Sequence, residues 1–343
     1  MGLHRAAGVG LALLLTSCSL TRPVELWTND ALEVRAVEDR GALDEAQSRY
    51  AELLKSPPND DKRRWVEFRQ AEILRAQART DEAEERYKRL WSEPFIDEWG
   101  AKAMLHDARM QEQLGRPHDA LSLRLQTILR YPNEVSAENA LRDIYDQFEP
   151  TPRTLNDLLE NLAPQLSDSY LAGNVLYLQA QNLDQNLGDI DAAAAIYRRI
   201  YVEFPEDALA DDALWEMTNI YRRVQAWPAA VQNLKVIANN TESSWFIGSY
   251  DSQWVDDAIF DLGVIHLLFL SDYDNAVAWF ERFATTYDDS LRAPEALYYA
   301  AEARRLQHQD DRHFAILRRI VKSYPESKWA RRASDRLGTW GRQ

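Results

Sequence analysis

Helical segments follow one another along the chain at a nearly constant period, and this period constrains the fold more than any other feature. One small residue marks each copy, and apolar residues with helical spacing surround it. The copies fall at Ala46, Ala83, Ala120, Ala193, Ala230, Ala276 and, in a weaker form, His313, at intervals of 37, 37, 73, 37, 46 and 37 residues. Because 73 is close to two periods, we expect one degenerate copy between Ala120 and Ala193. A fixed period in this range indicates stacked structural repeats.

Each copy has the pattern of two helices joined by a tight turn. In the best-formed copy Gly188 marks the turn, Ala193 and Tyr197 lie on one face of the second helix, and Pro205 follows its end. The copies together predict an all-α, right-handed superhelical solenoid of about eight helix pairs over residues 29–338, with a C-terminal capping helix. Residues 339–343 then form a tail. A Pro-rich interruption suggests a break between two lobes near residues 149–168.

A second, stricter repeat marks the joints between helix pairs. An aromatic residue precedes two alanines by six and nine positions in four places: Tyr131 with Ala137 and Ala140, Phe204 with Ala210 and Ala213, Tyr287 with Ala293 and Ala296, and Tyr324 with Ala330 and Ala333. The two alanines lie three residues apart at the start of a helix, where small side chains let the preceding helix approach closely. We expect the aromatic residue to end that preceding helix and fill the joint.

These spacings resemble tetratricopeptide repeats, which have Gly at the turn, Ala five residues later, an aromatic four further on and Pro eight beyond it. Two copies fit all four positions: Gly41/Ala46/Tyr50/Pro58 and Gly188/Ala193/Tyr197/Pro205. The stretch from Tyr324 to Ala333 is similar to repeats of bacterial envelope proteins, including the lipoprotein subunit of the outer-membrane β-barrel assembly machine and the periplasmic Tol–Pal coordinator. The resemblance implies a scaffold that presents a concave surface to partner proteins or peptides.

The N-terminus has the features of an export signal. A weakly basic start and an apolar run from Ala6 to Leu15 predict a signal peptide over residues 1–17, since the run is too short to span a bilayer. Leu15-Thr16-Ser17-Cys18 resembles the lipobox of bacterial lipoproteins, which implies acylation of Cys18, and Ser19 after it implies export to the outer membrane. Residues 18–28 are then a lipidated tether, and the protein faces the periplasm. The alternative is an ordinary secretory signal with an incidental cysteine.

Net charge and motifs restrict the kinds of chemistry that the chain can perform. A formal charge of −15 argues against binding nucleic acid, although the C-terminal end is more basic. No phosphate-binding loop or nucleophile motif occurs in the sequence, so we expect a non-enzymatic protein without cofactors. His308 and His313 have spacing compatible with a metal site, but a polar turn with a helix cap accounts for them better.

The longest interval, between Ala230 and Ala276, contains an insertion at residues 239–254 that is rich in aromatic residues. Insertions in repeat proteins form loops, and loops often carry recognition. We therefore expect four aromatic residues to contact a partner: Trp245, Phe246, Tyr250 and Trp254. In the alternative interpretation these side chains fold back and seal the longer joint. An alternative function is a periplasmic accessory protein that binds glycan or peptidoglycan on this aromatic insertion.

Overall fold

A computed structural model describes residues 24–239, 241–242, 250–251 and 253–340. These residues form two compact units, one ending at Asp143 and the other beginning at Ile144. The boundary precedes the break that the sequence suggests near residues 149–168. The boundary between the units falls inside a helix, since the helix that precedes the Pro-rich stretch continues to Phe148.

The first unit consists of successive helices packed against their neighbours in the chain. They are α1 (Val24–Asp39), α2 (Leu43–Leu53), α3 (Asp60–Ala76), α4 (Thr80–Ser92), α5 (Glu98–Gln113), α6 (Pro117–Arg130) and α7 (Val135–Phe148), of which residues 144–148 belong to the second unit.

The second unit continues this order around one buried apolar core that extends from Leu176 to Ala333. Its helices are α8 (Pro152–Leu162), α9 (Ala172–Asn182), α10 (Ile190–Glu203), α11 (Leu209–Arg223), α12 (Trp227–Asn239), α13 (Val255–Leu268), α14 (Tyr273–Thr286), α15 (Ala293–Leu306), α16 (Asp310–Ser323) and α17 (Lys328–Trp340). Two short strands, β1 (Thr241–Glu242) and β2 (Tyr250–Asp251), pair in antiparallel register between α12 and α13. None of the described helices combines the length and the apolar character needed to cross a bilayer.

One backbone conformation recurs at the turn inside seven helix pairs. The turn residue has a positive φ, between 53° and 79°, at Gly41, Ala78, Gly115, Gly188, Gln225, Ser271 and His308. Only glycine takes this left-handed conformation without a steric penalty, which is about 1–2 kcal/mol for other residues. Four of the seven turns have a residue other than glycine in this conformation. Packing of the two helices therefore outweighs the preference of the turn residue for a negative φ.

The recurrent small residue lies five positions after each turn residue and is always the fourth residue of the second helix. Ala46, Ala83, Ala120, Ala193, Ala230 and Ala276 are completely buried. His313 takes the same place in α16, where its Nδ1–H donates to the carbonyl oxygen of Ala301 at 2.8 Å. A larger apolar side chain would overpack this position by about 1–3 kcal/mol. The predicted all-α fold of equivalent helix pairs is confirmed.

The degenerate copy expected between Ala120 and Ala193 is also present. The fourth residue of α8 is Leu155, which is completely buried and takes the place of the alanine. It lies 35 residues after Ala120 and 38 before Ala193. The repeat therefore continues through the interval of 73 residues with a larger side chain at its marker position.

The aromatic joints have nearly identical geometry in all four places. Tyr131, Phe204, Tyr287 and Tyr324 each end a helix, with φ between −132° and −123° and ψ between 47° and 55°. Each N–H donates to the carbonyl oxygen four residues earlier. The eight alanines that follow them are 0–4% exposed. The expected role of this motif as a close-packed joint is confirmed.

Two first helices carry one more residue before the turn than the others. In most pairs the N–H after the turn residue donates to the carbonyl oxygen five residues earlier, as Ala226 does to Tyr221. After α9 and α13 it donates across six residues, from Asp189 to Leu183 and from Asp272 to His266. After α9 the extra residue produces a π-helical turn at Leu183–Leu187, a common way for a helix to accommodate an insertion.

The first helix begins earlier than the sequence predicts. The tether was expected over residues 18–28, but α1 already begins at Val24. Trp27 is 1% exposed, and its Nε1–H donates to the carbonyl oxygen of Leu53 at 3.2 Å. Burial of this large side chain brings residues 24–28 into the folded part. Cys18 lies outside the described residues.

The turn residues make a prediction about stability. Ala78→Gly should raise the free energy of unfolding by about 0.5–1 kcal/mol, because glycine removes the left-handed strain. Gly115→Ala should lower it by about 1 kcal/mol, and backbone strain alone would be the cause, since an added Cβ meets no atom within 4 Å. Urea denaturation followed by circular dichroism measures both changes. If both variants lost stability, the turn conformation would not be the determining factor.

Candidate functional site

Charged side chains on neighbouring first helices of the first unit are paired with one another. Here a first helix is the one that precedes the turn in each pair. Three of these pairs include contacts of 3.2, 2.8 and 2.7 Å: Arg69 Nε with Glu38 Oε2, His106 Nδ1 with Glu72 Oε1, and Arg109 Nε with Asp143 Oδ2. This surface satisfies most of its own polar groups, so it offers little unpaired charge to a partner.

The joint between α4 and α5 contains a buried arginine. Arg64 is completely buried, yet its guanidinium donates to Asp97 and Glu93 at 2.6 Å and to the carbonyl oxygen of Leu90 at 3.1 Å. A buried charge of this kind is stable only while its partners remain in place. Arg64 therefore has a structural role.

This network predicts a pH-dependent stability. Hydrogen bonds from Arg63 hold the pKa of Glu93 below its usual value. The carboxylate thus stabilises the fold above the unfolded-state pKa of about 4.3, and this contribution is lost as the pH falls below it. We expect Glu93→Gln to lower the free energy of unfolding by about 1–3 kcal/mol at pH 7. The deficit should shrink as the pH falls below about 4.3.

Urea denaturation at a series of pH values measures this deficit. The control is Glu85→Gln, which removes an exposed carboxylate from α4 and should change stability little. A deficit that stays constant from neutral to acid pH would contradict the ionic role of Glu93.

The second unit has a different surface on its first helices. Two carboxylates and an aromatic residue repeat with the same spacing on α11, as Asp212, Trp215 and Glu216, and on α13, as Asp257, Phe260 and Asp261. We call each set an acid–aromatic triplet. Residues three and four apart share one face of a helix. Both triplets begin two residues after the first buried small residue of the helix, Ala210 or Val255, so they occupy equivalent places in the repeat.

Two arginines of the chain itself neutralise the triplet on α13. Arg222 Nη1 donates to Asp261 Oδ2 at 2.6 Å, and Arg292 Nη1 donates to Asp257. The Arg292 guanidinium also lies 4.0 Å from the centre of the Phe260 ring. Burial raises the pKa of Asp261 despite the nearby arginine. This part of the surface shows how the fold holds a guanidinium, between carboxylates and an aromatic ring.

The triplet on α11 has no arginine or lysine among the described residues as an ion-pair partner. Asp212 Oδ1 accepts from the neutral groups Trp254 Nε1–H at 2.6 Å and Gln253 Nε2–H at 2.9 Å. Glu216 accepts a long hydrogen bond of 3.4 Å from Asn219. Burial raises the pKa of Tyr177 on α9, and the charges of Glu216 and Asp212 raise it further. Both carboxylates therefore act electrostatically on the Tyr177 hydroxyl, and no arginine or lysine that the structure describes forms an ion pair with them.

Trp254, one of the predicted partner-binding residues, packs against the fold. Its ring is stacked on Trp215 with a centroid distance of 4.7 Å and an interplanar angle of 8°. The residue in the same place of the repeat contacts an aromatic ring of the preceding first helix in three further cases: Trp99 is tilted against Phe68 at 5.9 Å, Arg292 lies over Phe260 at 4.0 Å, and Trp329 is tilted against Tyr298 at 4.9 Å. Trp254 remains partly exposed, so it seals the joint and also borders the α11 triplet.

The other predicted contact residues are not brought together within the described part of the chain. Trp245 and Phe246 lie outside the described residues. Tyr250 belongs to β2, where its backbone pairs with Glu242. The sequence did not identify the triplets as a site. In both helices the triplet begins two residues after the first buried residue, Ala210 or Val255. This regularity becomes visible in the sequence once the helices are aligned by their joints.

The two histidines near the C-terminus have different surroundings. His313 is buried and bonds to a backbone carbonyl, whereas His308 is the exposed turn residue. Among the residues that the structure describes, no three His, Cys, Asp or Glu side chains are grouped as metal ligands. His308 therefore lies in a polar turn as expected, but the expected aspartate cap is wrong: Gln309 is the N-cap residue of α16 and makes no side-chain capping hydrogen bond, while Asp310 and Asp311 lie in the first turn.

Comparisons with known proteins identify the repeat. Residues 174–207 and 295–327 match the tetratricopeptide repeat family, and these ranges coincide with the pairs α9–α10 and α15–α16. No curated protein matches the sequence.

Several solved structures are similar to this chain at low sequence identity and with low TM-scores. A tetratricopeptide repeat protein from Parabacteroides merdae is 14% identical with a TM-score of 0.33, and the alignment covers 80% of this chain and 99% of that one. The C-terminal part of a repeat protein from Cytophaga hutchinsonii is 13% identical with a TM-score of 0.34, over 88% and 97% of the two chains. Pseudomonas aeruginosa pilF is 12% identical with a TM-score of 0.28, over 79% and 96%. The two ranges that match the family model are thus similar to tetratricopeptide repeats, which are typical of protein-interaction scaffolds.

Proposed function

We propose that the protein is a non-enzymatic scaffold that binds partner proteins or peptides in a cell-envelope complex. Acylated Cys18 holds it at the outer membrane, facing the periplasm. The proposal combines the repeat fold with the resemblance of residues 1–18 to a lipoprotein signal. In this arrangement the short stretch between Cys18 and α1 keeps the first helix pair near the bilayer.

In this proposal the partner binds to the face that the first helices form in the second unit. One observation supports this choice: no arginine or lysine in the described part of the chain pairs with Asp212 or Glu216, and both lie close to partly exposed aromatic rings, whereas the matching surface of the first unit pairs its charges internally. Partly exposed aromatic side chains are typical of residues that dominate binding energy at interfaces, and carboxylates beside them favour a partner of complementary charge.

Site-specific photo-crosslinking tests this surface. A photo-crosslinking amino acid replaces Asn219, which lies on the triplet face of α11, in the full-length protein in its native membrane. The matched control carries the same group at Gln232, an exposed position on the second helix α12. We expect discrete protein adducts from position 219 and few from position 232. Equal adducts from both positions, or none from a folded protein, would contradict the proposal.

The same experiment distinguishes the glycan-binding alternative. A glycan-binding role predicts adducts of peptidoglycan or polysaccharide at position 219, and these would lack a partner polypeptide after glycosidase digestion. Protein adducts that survive the digestion support the scaffold.

The lipid anchor makes a separate prediction. We expect the mature protein to begin at Cys18 with an acylated terminus, since several acyl chains give firm membrane attachment. Cys18→Ser should move the protein from the membrane to the soluble periplasmic fraction, and mass spectrometry should find no acyl groups. Ser19→Ala is the control and should leave the acylation intact. A wild-type mass without lipid would refute the anchor.

A further inference from the structure

The helix α17 carries a positive charge at a position where other first helices of the second unit carry an acid. It follows an aromatic joint and packs against α15, as α13 does, so it takes the place of a first helix. The residue eight positions after the joint aromatic is Asp212 on α11 and Glu295 on α15. On α17 the residue at this position is Arg332. The sign of the charge is therefore reversed at α17.

A second cation shares this part of α17. Lys328 lies four residues before Arg332, so the two side chains lie on one face of the helix. Both residues are exposed, and neither forms an ion pair with a carboxylate that the structure describes. The Lys328 ammonium lies 5.0 Å and the Arg332 guanidinium 4.7 Å from the centre of the Trp329 ring. Two like charges therefore lie beside one ring, where an anion would relieve their repulsion.

Trp329 itself has a buried donor without an acceptor. The residue is 5% exposed, and its Nε1–H has no hydrogen-bond partner in the described part of the chain. Tyr298 and Tyr299 of α15 lie against the ring at centroid distances of 4.9 and 5.8 Å. Glu295, which takes the place of Asp212, accepts from the Tyr299 hydroxyl at 3.4 Å. Buried polar groups nearly always have a partner, so this N–H lacks an acceptor that the described chain does not supply.

Two tryptophans in the same place of the repeat show which acceptor fits the indole. Trp99 Nε1–H donates to Asp61 Oδ1 at 2.7 Å, and Trp254 Nε1–H donates to Asp212 Oδ1 at 2.6 Å. In both cases the acceptor is a carboxylate of the preceding first helix. An external carboxylate would complete the same hydrogen bond at Trp329, and the two cations of α17 would compensate its charge.

We propose that Lys328, Trp329 and Arg332 bind the carboxylate of an acidic side chain from a partner protein. The carboxylate accepts from Trp329 Nε1–H and forms ion pairs with the two cations. Both cationic side chains are exposed and lie over the ring, so their movement towards the carboxylate opens the way to the indole N–H.

This inference rests on the proposed scaffold function and adds a direction to it. The α11 triplet and the α17 cations lie on first helices of the same unit. A partner that binds along these helices therefore places negative charge at α17 and positive charge at α11. Such an order of charges fixes the register of the bound segment.

A peptide-binding measurement tests the acidic-partner inference. The probe is a rhodamine-labelled Gly/Ser peptide with several spaced glutamates, and its control carries glutamine at the same positions. Fluorescence anisotropy with the full-length protein in a non-ionic detergent measures both affinities. We expect the glutamate peptide to bind and the glutamine peptide to bind at least about tenfold more weakly. The formal charge of −15 repels acidic peptides in general, so selective binding requires a local site.

Matched variants distinguish this site from other cations near the C-terminus. Lys328→Gln/Arg332→Gln should weaken binding of the glutamate peptide at least about tenfold. The control Arg318→Gln/Lys322→Gln removes two exposed cations with the same spacing from α16 and should change the affinity less than about twofold. Circular dichroism verifies that both double variants are folded. Equal weakening by the two variants, equal binding of the two peptides, or no binding of the glutamate peptide would overturn the inference.

A single substitution tests the indole donor. Trp329→Phe keeps an aromatic ring beside the cations and removes the N–H, so it should weaken the glutamate peptide about three- to tenfold. Unchanged affinity of this variant, with an intact circular dichroism spectrum, would overturn the role of Trp329. Vesicles containing phosphatidylglycerol are the competing probe. Vesicle binding that depends on Lys328 and Arg332, without peptide binding, would overturn the choice of a protein partner.

The outcome is separable from that of the scaffold proposal. If position 219 gives protein adducts but the α17 double variant binds the glutamate peptide normally, the acidic-partner inference fails and the scaffold stands. If the peptide binds selectively but no protein adducts form in the envelope, the scaffold proposal fails while the carboxylate site stands.

Discussion

Close approach of neighbouring helices around a buried alanine is the constraint on which the rest of the structure depends. The alanine is the fourth residue of the second helix, and the turn five residues before it must adopt a left-handed conformation to bring the helices together. Packing gained along the whole helix outweighs the turn penalty of about 1–2 kcal/mol. Ala78, Gln225, Ser271 and His308 can therefore occupy turns that glycine would fill more easily.

The features that the sequence predicted well are those for which few residue types fit. A completely buried contact between helices favours a small side chain, so the alanine markers and the paired alanines at the joints remain visible, with Leu155 and His313 as exceptions at the marker position. Features that several residue types satisfy were harder to predict. Four turns lack glycine, and α1 extends to Val24 because Trp27 finds an internal acceptor, the Leu53 carbonyl, which no local pattern indicates.

The interaction surface was less predictable because its residues come from separate helices. The aromatic insertion at residues 239–254 suggested recognition, yet Trp254 stacks on Trp215 of α11. Asp212 lies in the first turn of α11, where a carboxylate also favours the helix dipole, and Glu216 lies one turn further along the helix, so neither residue is conspicuous in the sequence. Their significance depends on which cations approach them, and Arg222 reaches Asp261 across 39 positions of the chain. Only the folded arrangement reveals that Glu216 has no such partner among the described residues.

The extra residue before the turn after α9 and α13 bears on how the chain tolerates changes in length. At both places the backbone contains one more residue than in the other pairs, and the alanine of the second helix is still buried. Single-residue insertions or deletions at the end of a first helix can therefore accumulate during divergence without disturbing the stacking order. Related proteins should vary in repeat length at this place first, so a comparison that assumes a rigid period would lose register there.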